Sequence, residues 1–284
     1  MDAGNPVQVT VVYETNKNLL FYLKFPGDLA ELEKRECSFE FHFSNEIILT
    51  RDFMMHFPFE KIFFPECSNI ISTMCKDYNH RLEEWIQYNL KLGFDGIVIF
   101  NNYTNTNDET LAHLQQKYAA NMAVIDFPYT APSGFHWNNI QGSSLCIGVE
   151  GMKQKCNYIA LIDADEFIYI PSSNNNNIKE FLSRHVLNLK IESKLITNKG
   201  YSDAFDNDVL STCRFVGTHK YKKSIIRTNQ VGDFIHSPHG YDYRDLLLNE
   251  HEIIHYHVWE NSRCPYNDSM VEFFGLQKFM NLMN

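Results

Sequence analysis

Apolar runs alternate with amphipathic segments along residues 70–163, and this alternation sets the predicted architecture. The runs typical of buried strands are 70–75, 96–100, 122–127 and 157–163, and the segments with helical spacing between them are 79–93, 108–118 and 136–153. Asn79 is a suitable N-cap for the first helical segment, and Gly93 is a suitable stop. Strands that alternate with helices of this length predict βαβ units, and hence a mixed, mainly parallel sheet flanked by helices.

Residues 7–64 have a different pattern, in which four short segments alternate or run apolar between polar breaks. Such segments predict strands. We therefore expect a β-rich N-terminal extension over residues 1–69 and an α/β domain over residues 70–284. Further along, the pattern predicts a short helix at 178–185 and an amphipathic helix over the last twenty residues. Between them it predicts strands at 186–196, 210–217 and 222–228.

The formal charge of −10 narrows the range of partners, because non-specific binding to nucleic acid or to an anionic membrane requires a basic surface. No apolar run approaches the roughly 18 residues needed to span a bilayer. The opening residues, MDAGNPVQVT, have neither the basic nor the apolar region of a secretory signal, and the seven cysteines form no CxxC pair. We expect a cytoplasmic protein with no nucleic-acid partner and no transmembrane segment.

In the stretch YIALIDADEF, residues 158–167, an apolar run typical of a strand is followed directly by Asp163, Asp165 and Glu166. Like charges this close repel each other, and buried carboxylates are costly unless a cation neutralises them. Either the three carboxylates lie on a solvated turn, or they hold a cation. Carboxylate oxygens suit Mn²⁺ or Mg²⁺, and ligands of parallel sheets bind beyond the carboxyl ends of strands, where this triplet lies.

The segment with the acidic triplet is one of several short motifs that follow one another in a fixed order along the chain. They are Lys76-Asp77, Glu84-Trp85-Ile86, Leu92 to Asp95, Asn101 to Asp108, Asp163 to Phe167, KKSIIRT at 222–228 and HYHVW at 255–259. Together, over roughly residues 70–260, they resemble glycosyltransferases with the GT-A fold, namely the family-2-like enzymes and their relatives in family 92. The chain departs from that pattern at Asn101-Asn102, where an acid is common, and at KIESKLI (190–196), so the resemblance carries no acceptor specificity.

The resemblance implies a GT-A (Rossmann-like) fold and a metal-dependent glycosyltransferase. Such an enzyme would move a sugar from a nucleotide-diphosphate sugar, a UDP-sugar in the first place, to an acceptor hydroxyl. The acceptor would be a glycan, a protein or a small molecule, and the cofactor would be Mn²⁺ or Mg²⁺. By the same resemblance, Asp165 is the main metal ligand, and Asp163 contacts the ribose or reaches the metal through water.

The resemblance also implies a set of donor-binding positions. Asp77 and Asn102 would lie around the base and the ribose, Gln141 would face the sugar or the diphosphate, and Lys223 or Arg227 would lie near the diphosphate. Each position has a structural alternative. Asp77 could cap a helix, Asn102 could shape a turn, Gln141 could be a surface residue, and the basic residues could protect an edge strand.

Histidines near the C-terminal end are candidates for a further metal ligand. We favour His236, because it ends a strand-like run and holds the place of a histidine in the family's pattern. His239 is the second candidate, and its position past a proline also suits a contact with phosphate or acceptor. The alternation in HYHVW would direct His255 and His257 to one face of a strand, which makes His257 a third candidate.

The catalytic base is harder to predict, because only an inverting transfer needs a carboxylate near the acceptor hydroxyl. Glu192, Asp203 and Asp206 lie in a suitable part of the chain, and we favour Asp203. Two other kinds of protein also fit the acidic motif: a metal-dependent phosphohydrolase or nucleotidyltransferase, and a non-catalytic module that binds sugar or nucleotide.

Overall fold

The computed structural model describes residues 8–15, 18–24, 36–43, 46–54, 59, 62–64, 68–77, 79–103, 109–128, 137–173, 176–198, 209–230, 246–258 and 267–281. The chain divides into two compact units, Met1–Phe63 and Phe64–Asn284. Within the described ranges, no helix is long and apolar enough to cross a lipid bilayer.

The first unit contains two antiparallel hairpins, each of which is a two-stranded sheet. β1 (Gln8–Thr15) pairs with β2 (Asn18–Lys24), and β3 (Glu36–Phe43) pairs with β4 (Glu46–Met54). The alternating pattern of the N-terminal segment predicted these strands, and the short connections between partners favour antiparallel pairing.

The second unit begins with alternating strands and helices. They are β5 (Ser68–Cys75), α1 (Asn79–Leu92), β6 (Gly96–Asn101), α2 (Thr110–Lys117), β7 (Met122–Asp126), α3 (Trp137–Met152) and β8 (Cys156–Leu161). The four strands are parallel and lie in the order β8, β5, β6, β7. Their carboxyl ends therefore meet at one edge of the sheet, which is where the acidic triplet follows β8.

The remaining elements extend this sheet on the side of β8. They are β9 (Glu166–Tyr169), α4 (Ile178–Ser183), β10 (Leu189–Thr197), α5 (Val209–Thr212), β11 (Phe215–Thr218), β12 (Lys223–Arg227), β13 (Leu246–Leu248), β14 (Ile254–Val258), β15 (Val271–Glu272) and α6 (Gly275–Asn281). β12 joins β8 in antiparallel fashion and is followed by β10, β11 and β15. β10 also pairs in parallel with β13 and β14, and β14 pairs antiparallel with β9.

The predicted fold class, a mixed sheet flanked by helices with a β-rich N-terminal extension, is confirmed. Two predicted elements were wrong in detail. Residues 210–217 were expected to form one strand, but the structure has helix α5 followed by β11. Leu210 and Cys213 are both buried at a helical spacing of three residues. The helix predicted over the last twenty residues is also shorter, because the two-residue strand β15 precedes α6.

Helix α1 anchors the strand that follows the acidic triplet. The indole N–H of Trp85 donates to the carbonyl of Glu166 at 2.8 Å, and the hydroxyl of Tyr88 donates to the carbonyl of Ile168 at 2.6 Å. Both hydrogen bonds are buried, where a broken bond costs more than in water. The start of β9 is therefore held against the helix as well as against its partner strand.

Helix α3 packs unusually close to β5. A Cβ added at Gly148 would lie 2.3 Å from the hydroxyl oxygen of Ser72 and 3.0 Å from the ring of Phe100. No side chain larger than hydrogen fits there without movement. This close approach matters for the site because Gln141 lies on the same helix, two turns before Gly148.

Candidate active site

The acidic turn connects β8 to β9 at the carboxyl edge of the parallel strands. The N–H of Glu166 donates to the carbonyl of Asp163 at 3.1 Å, and the N–H of Asp163 donates to Glu166 Oε2 at 2.8 Å. The carbonyl of Asp165 accepts a hydrogen bond from the N–H of Val258 at 3.0 Å. These bonds close the turn with the side chain of Glu166 fully buried, whereas those of Asp163 and Asp165 are 28% and 30% exposed.

Lys223 supplies a cation to this turn. β12 runs antiparallel to β8 with Ser224 opposite Leu161, so its first residue lies beside the carboxyl end of β8. The Nζ atom of Lys223 is 2.6 Å from Asp163 Oδ2 and 3.0 Å from Glu166 Oε2, and the side chain is 1% exposed. Burial alone would lower the pKa of Lys223, but the two carboxylates raise it above its usual value. The ammonium group therefore stays charged.

Strand β14 brings two histidines to the same carboxylates. His255 Nε2 lies 3.0 Å from Glu166 Oε1, and His257 Nδ1 lies 3.5 Å from the same oxygen. His257 Nε2 lies 3.2 Å from Asp165 Oδ2. The alternation in HYHVW predicted that both histidines would share one face of the strand. Burial alone would raise the pKa of Glu166, but the charges of His255 and Lys223 hold it well below its usual range.

The protonation of His257 depends on the same carboxylates. Burial alone would lower its pKa, but Asp165 and Glu166 raise it to about 9. In the metal-free protein His257 is therefore a cation at neutral pH. A metal ion that binds Nε2 would have to displace that proton.

Asp165, Glu166 and His257 form a group whose ligand atoms all lie within 4.8 Å of one another. Asp165 Oδ1 is buried and has no hydrogen-bond partner among the described residues. Buried carboxylate oxygens without a donor are costly, and a divalent ion would satisfy them. Two carboxylates and one imidazole suit Mn²⁺ better than Mg²⁺, which strongly prefers oxygen. The residues present therefore fit a divalent ion.

A second polar pair borders this group. Ser193 lies on β10 opposite His255, and its hydroxyl oxygen is 2.6 Å from His219 Nδ1. The ring of His219 packs edge-to-face on the ring of His257, with 5.4 Å between centroids. Burial and the neighbouring His257 cation lower the pKa of His219 to about 4, so it is neutral. Ser193 and His219 thus form an uncharged wall beside His257.

The structure places the predicted donor-binding residues as follows. The side-chain amide of Gln141 donates to Asp163 Oδ1 at 2.5 Å, which brings helix α3 to the turn. Asp77 follows β5, is exposed, and has a φ of 52°. Asn102 follows β6, is 4% exposed, and its amide donates to the carbonyl of Phe127 at 2.6 Å. Asp77 and Asn102 therefore follow neighbouring strands at the same edge of the sheet as the acidic turn.

Two predicted site residues, Arg227 and Glu192, make contacts with residues outside the acidic turn. Arg227 is at the far end of β12, opposite Tyr158, and donates to the carbonyl of Val186. The structure does not bring it to the acidic turn, because β12 runs away from the carboxyl edge. Glu192 is paired with Lys222 at 2.9 Å. Asp203, Asp206, His236 and His239 lie outside the described residues.

The sequence did not identify Glu166 and His255 as the centre of the site, and it gave no role to Ser193 or His219. Glu166 was visible as the third acid of the triplet, and its central position depends on Lys223 and His255, which come much later in the chain. The one available signal was the alternation of His255 and His257. Ser193 and His219 carry no motif that would have identified them.

The chain matches one sequence-family profile and is similar to two glycosyltransferase-related solved structures. The sequence profile described as Glycosyltransferase family 92 matches residues 71–279. No curated protein sequence matches the chain. Among solved structures, the chain is similar to S. aureus TarS 1-349, with 14% identity, a TM-score of 0.38, and coverage of 67% of this chain and 60% of that one.

A second similar structure is the mannosyltransferase PcManGT from Pyrobaculum calidifontis, solved in complex with GDP-Man and Mn²⁺. It is 10% identical, with a TM-score of 0.39 and coverage of 73% of this chain and 63% of that one. The chain thus spans less than two thirds of the length of either structure.

Proposed function

The chain belongs to glycosyltransferase family 92, and from this premise we propose that it transfers a sugar from a nucleotide-diphosphate donor to an acceptor hydroxyl with the help of a divalent metal ion. The donor that we propose first is a UDP-sugar, and the metal is Mn²⁺. The observation that carries the proposal is the approach of His257 Nε2 to within 3.2 Å of Asp165 Oδ2, beside a buried Asp165 oxygen with no hydrogen-bond partner over the described ranges.

In this proposal Asp165 and His257 Nε2 hold the metal ion. Glu166 accepts the proton of His257 Nδ1 and so fixes the orientation of the ring, as carboxylates commonly do for metal-binding histidines. When bound, the ion would neutralise the diphosphate and stabilise the charge that grows on the leaving group. His236 and His239 remain candidates for an additional ligand.

The proposed donor site extends from the acidic turn along the carboxyl ends of β5 and β6. Asp163 keeps part of its carboxylate exposed while Gln141 and Lys223 hold it in place, so it can contact a ribose or a sugar hydroxyl. Asp77 is exposed and can contact the base or ribose directly. The amide of Asn102 is engaged with Phe127, so its proposed contribution is to shape this end of the site.

The acceptor is a glycan, a protein or a small molecule with a free hydroxyl. For an inverting transfer, we propose Asp203 as the base that removes the hydroxyl proton, with Glu192 as the second candidate. We propose the cytoplasm as the compartment.

Isothermal titration calorimetry with UDP, GDP and their sugars, in Mn²⁺ or in EDTA, tests the proposal. We expect UDP to bind with Mn²⁺ and to lose at least tenfold in affinity with EDTA, because the clustered carboxylates repel a diphosphate. Equal affinity in both buffers would contradict metal dependence. Incubation with a donor and a panel of acceptors should release intact UDP, whereas release of phosphate would indicate a phosphohydrolase.

A further inference from the structure

The turn between β8 and β9 already contains a cation of its own. Lys223 Nζ lies 2.6 Å from Asp163 Oδ2 and 3.0 Å from Glu166 Oε2, so it bridges two carboxylates as a small ion would. Its side chain is 1% exposed, and that of Glu166 is fully buried. This ammonium group is therefore shielded from solvent and is poorly placed to contact an incoming diphosphate.

The bridged carboxylates also define the shape of the turn. Glu166 Oε2, which contacts Lys223, also accepts the N–H of Asp163. Asp163 Oδ2 contacts Lys223, while its Oδ1 accepts the amide of Gln141. Without a cation, the buried carboxylate of Glu166 and the partly exposed carboxylate of Asp163 would repel each other, and the turn would open or take up a proton.

The formal charges indicate that the two sides of the turn bind different cations. The carboxylates of Asp163, Asp165 and Glu166 carry three negative charges, and the ammonium of Lys223 neutralises one of them at Asp163 and Glu166. The carboxylate of Asp165, whose buried Oδ1 has no hydrogen-bond partner among the described residues, faces His257 rather than Lys223.

We propose that Lys223 is a built-in counter-cation that takes the place of a second metal ion. It holds Asp163 and Glu166, so that the turn keeps its shape without metal and admits a single divalent ion, at Asp165 and His257. Lys223 is thus a positioning residue, a different role from the contact with diphosphate that its sequence motif implied. The inference rests on the proposed metal site but not on sugar transfer.

The first test uses the unmodified protein. We expect circular dichroism and thermal melting in EDTA to show a folded chain, and calorimetry or Mn²⁺ electron paramagnetic resonance to count one bound ion. Unfolding in EDTA, or two bound ions, would overturn the inference. No bound ion at all would instead contradict the metal dependence in the proposed function, so the two failures are distinguishable.

The second test replaces Lys223 by Met, which keeps the aliphatic stem and removes the charge. In EDTA we expect the melting temperature to fall by roughly 10 °C, because the carboxylates of Asp163 and buried Glu166 lose the cation between them. Millimolar Mn²⁺ should restore most of that loss, and the variant should bind two ions. A folded Lys223→Met that still binds one ion and gains no more stability from Mn²⁺ than the wild type would overturn the inference.

Two further variants serve as controls. Lys222→Met removes the neighbouring lysine, whose partner is Glu192 and whose side chain is 29% exposed, so it should still bind one ion. The double variant Lys223→Met/Asp163→Asn removes the repulsion together with the cation. It should melt above Lys223→Met in EDTA and should lose the second ion. If it is no more stable than Lys223→Met, charge balance is not the role of Lys223.

Discussion

His257 Nε2 lies 3.2 Å from Asp165 Oδ2, although the two residues are 92 positions apart in the chain. The contact exists because β14 pairs with β9, the strand that leaves the acidic turn, so that His257 stands opposite Glu166. A loop carboxylate and a strand histidine thus face each other from two elements that are hydrogen-bonded together. The site is therefore largely formed before any ligand arrives.

Replacement of Asp165 by Asn should abolish sugar transfer while the fold persists. Asn is nearly the same size but lacks the ionic oxygen, so we expect kcat/KM to fall at least 100-fold, equivalent to about 2.7 kcal/mol of transition-state stabilisation. Steady-state kinetics with melting curves check this result. Asp268→Asn, in an exposed turn, is the matched control. Near-normal turnover of Asp165→Asn would mean that this carboxylate only shapes the turn.

Replacement of His257 by Ala should weaken Mn²⁺ binding by roughly 10- to 100-fold, because the proposed ion loses its imidazole ligand. His236→Ala and His239→Ala, measured in the same titration, decide which histidine completes the site. If His236→Ala weakens binding and His257→Ala does not, the ligand predicted from the sequence motif is the right one and the role proposed here for His257 is wrong.

The stability of the metal-free protein should decrease as the pH rises from about 6.5 to about 9. The folded state raises the pKa of His257 from 6.5 to about 9, so it binds this proton more tightly than the unfolded chain does. The resulting stabilisation is complete below pH 6.5 and is lost through pH 9. Melting curves in EDTA should show a smaller decline for His257→Gln than for the wild type. His113→Gln, at an exposed position on α2, should behave like the wild type.

Gly148→Ala should destabilise the protein by about 1–3 kcal/mol, because the new methyl group would meet Ser72 Oγ at 2.3 Å. The double variant Gly148→Ala/Ser72→Ala removes that oxygen and should recover part of the loss in a denaturant titration. Gly217→Ala is the control, since its methyl group would meet only the flexible end of Met270 at 3.1 Å. If Gly148→Ala were as stable as the wild type, helix α3 would have room to shift.

Much of the parallel half of the sheet could be predicted from the sequence. The strands β5, β6 and β8 are short runs buried on both faces, and such runs differ clearly from the amphipathic helices between them. Residues 210–217 were misassigned because this segment is only eight residues long. Its buried positions, Leu210, Cys213 and Phe215, fit the periodicity of a helix as well as that of a strand. A window this short cannot separate a single helical turn from a strand.

The site could be predicted only as far as its local motif. Asp163 and Asp165 could be identified as candidate site residues because they directly follow an apolar strand. The role of Glu166 could not be predicted, because an acid in a triplet looks solvated until its partners are known. Those partners, Lys223 and His255, come from strands whose pairing with β8 and β9 no local pattern reveals.

The order of the strands has a consequence for how the chain is made. The acidic turn leaves the ribosome well before β12 and β14, which carry its cationic partners. Until those strands dock, the carboxylates of the turn must remain hydrated, because burying them alone is too costly. A nascent or truncated chain that ends before β14 can therefore assemble the parallel strands. It cannot bury the acidic turn at their carboxyl edge, because β14 pairs with β9 there. The pairing of β14 with β9 and the assembly of the candidate metal site are thus the same late event in folding.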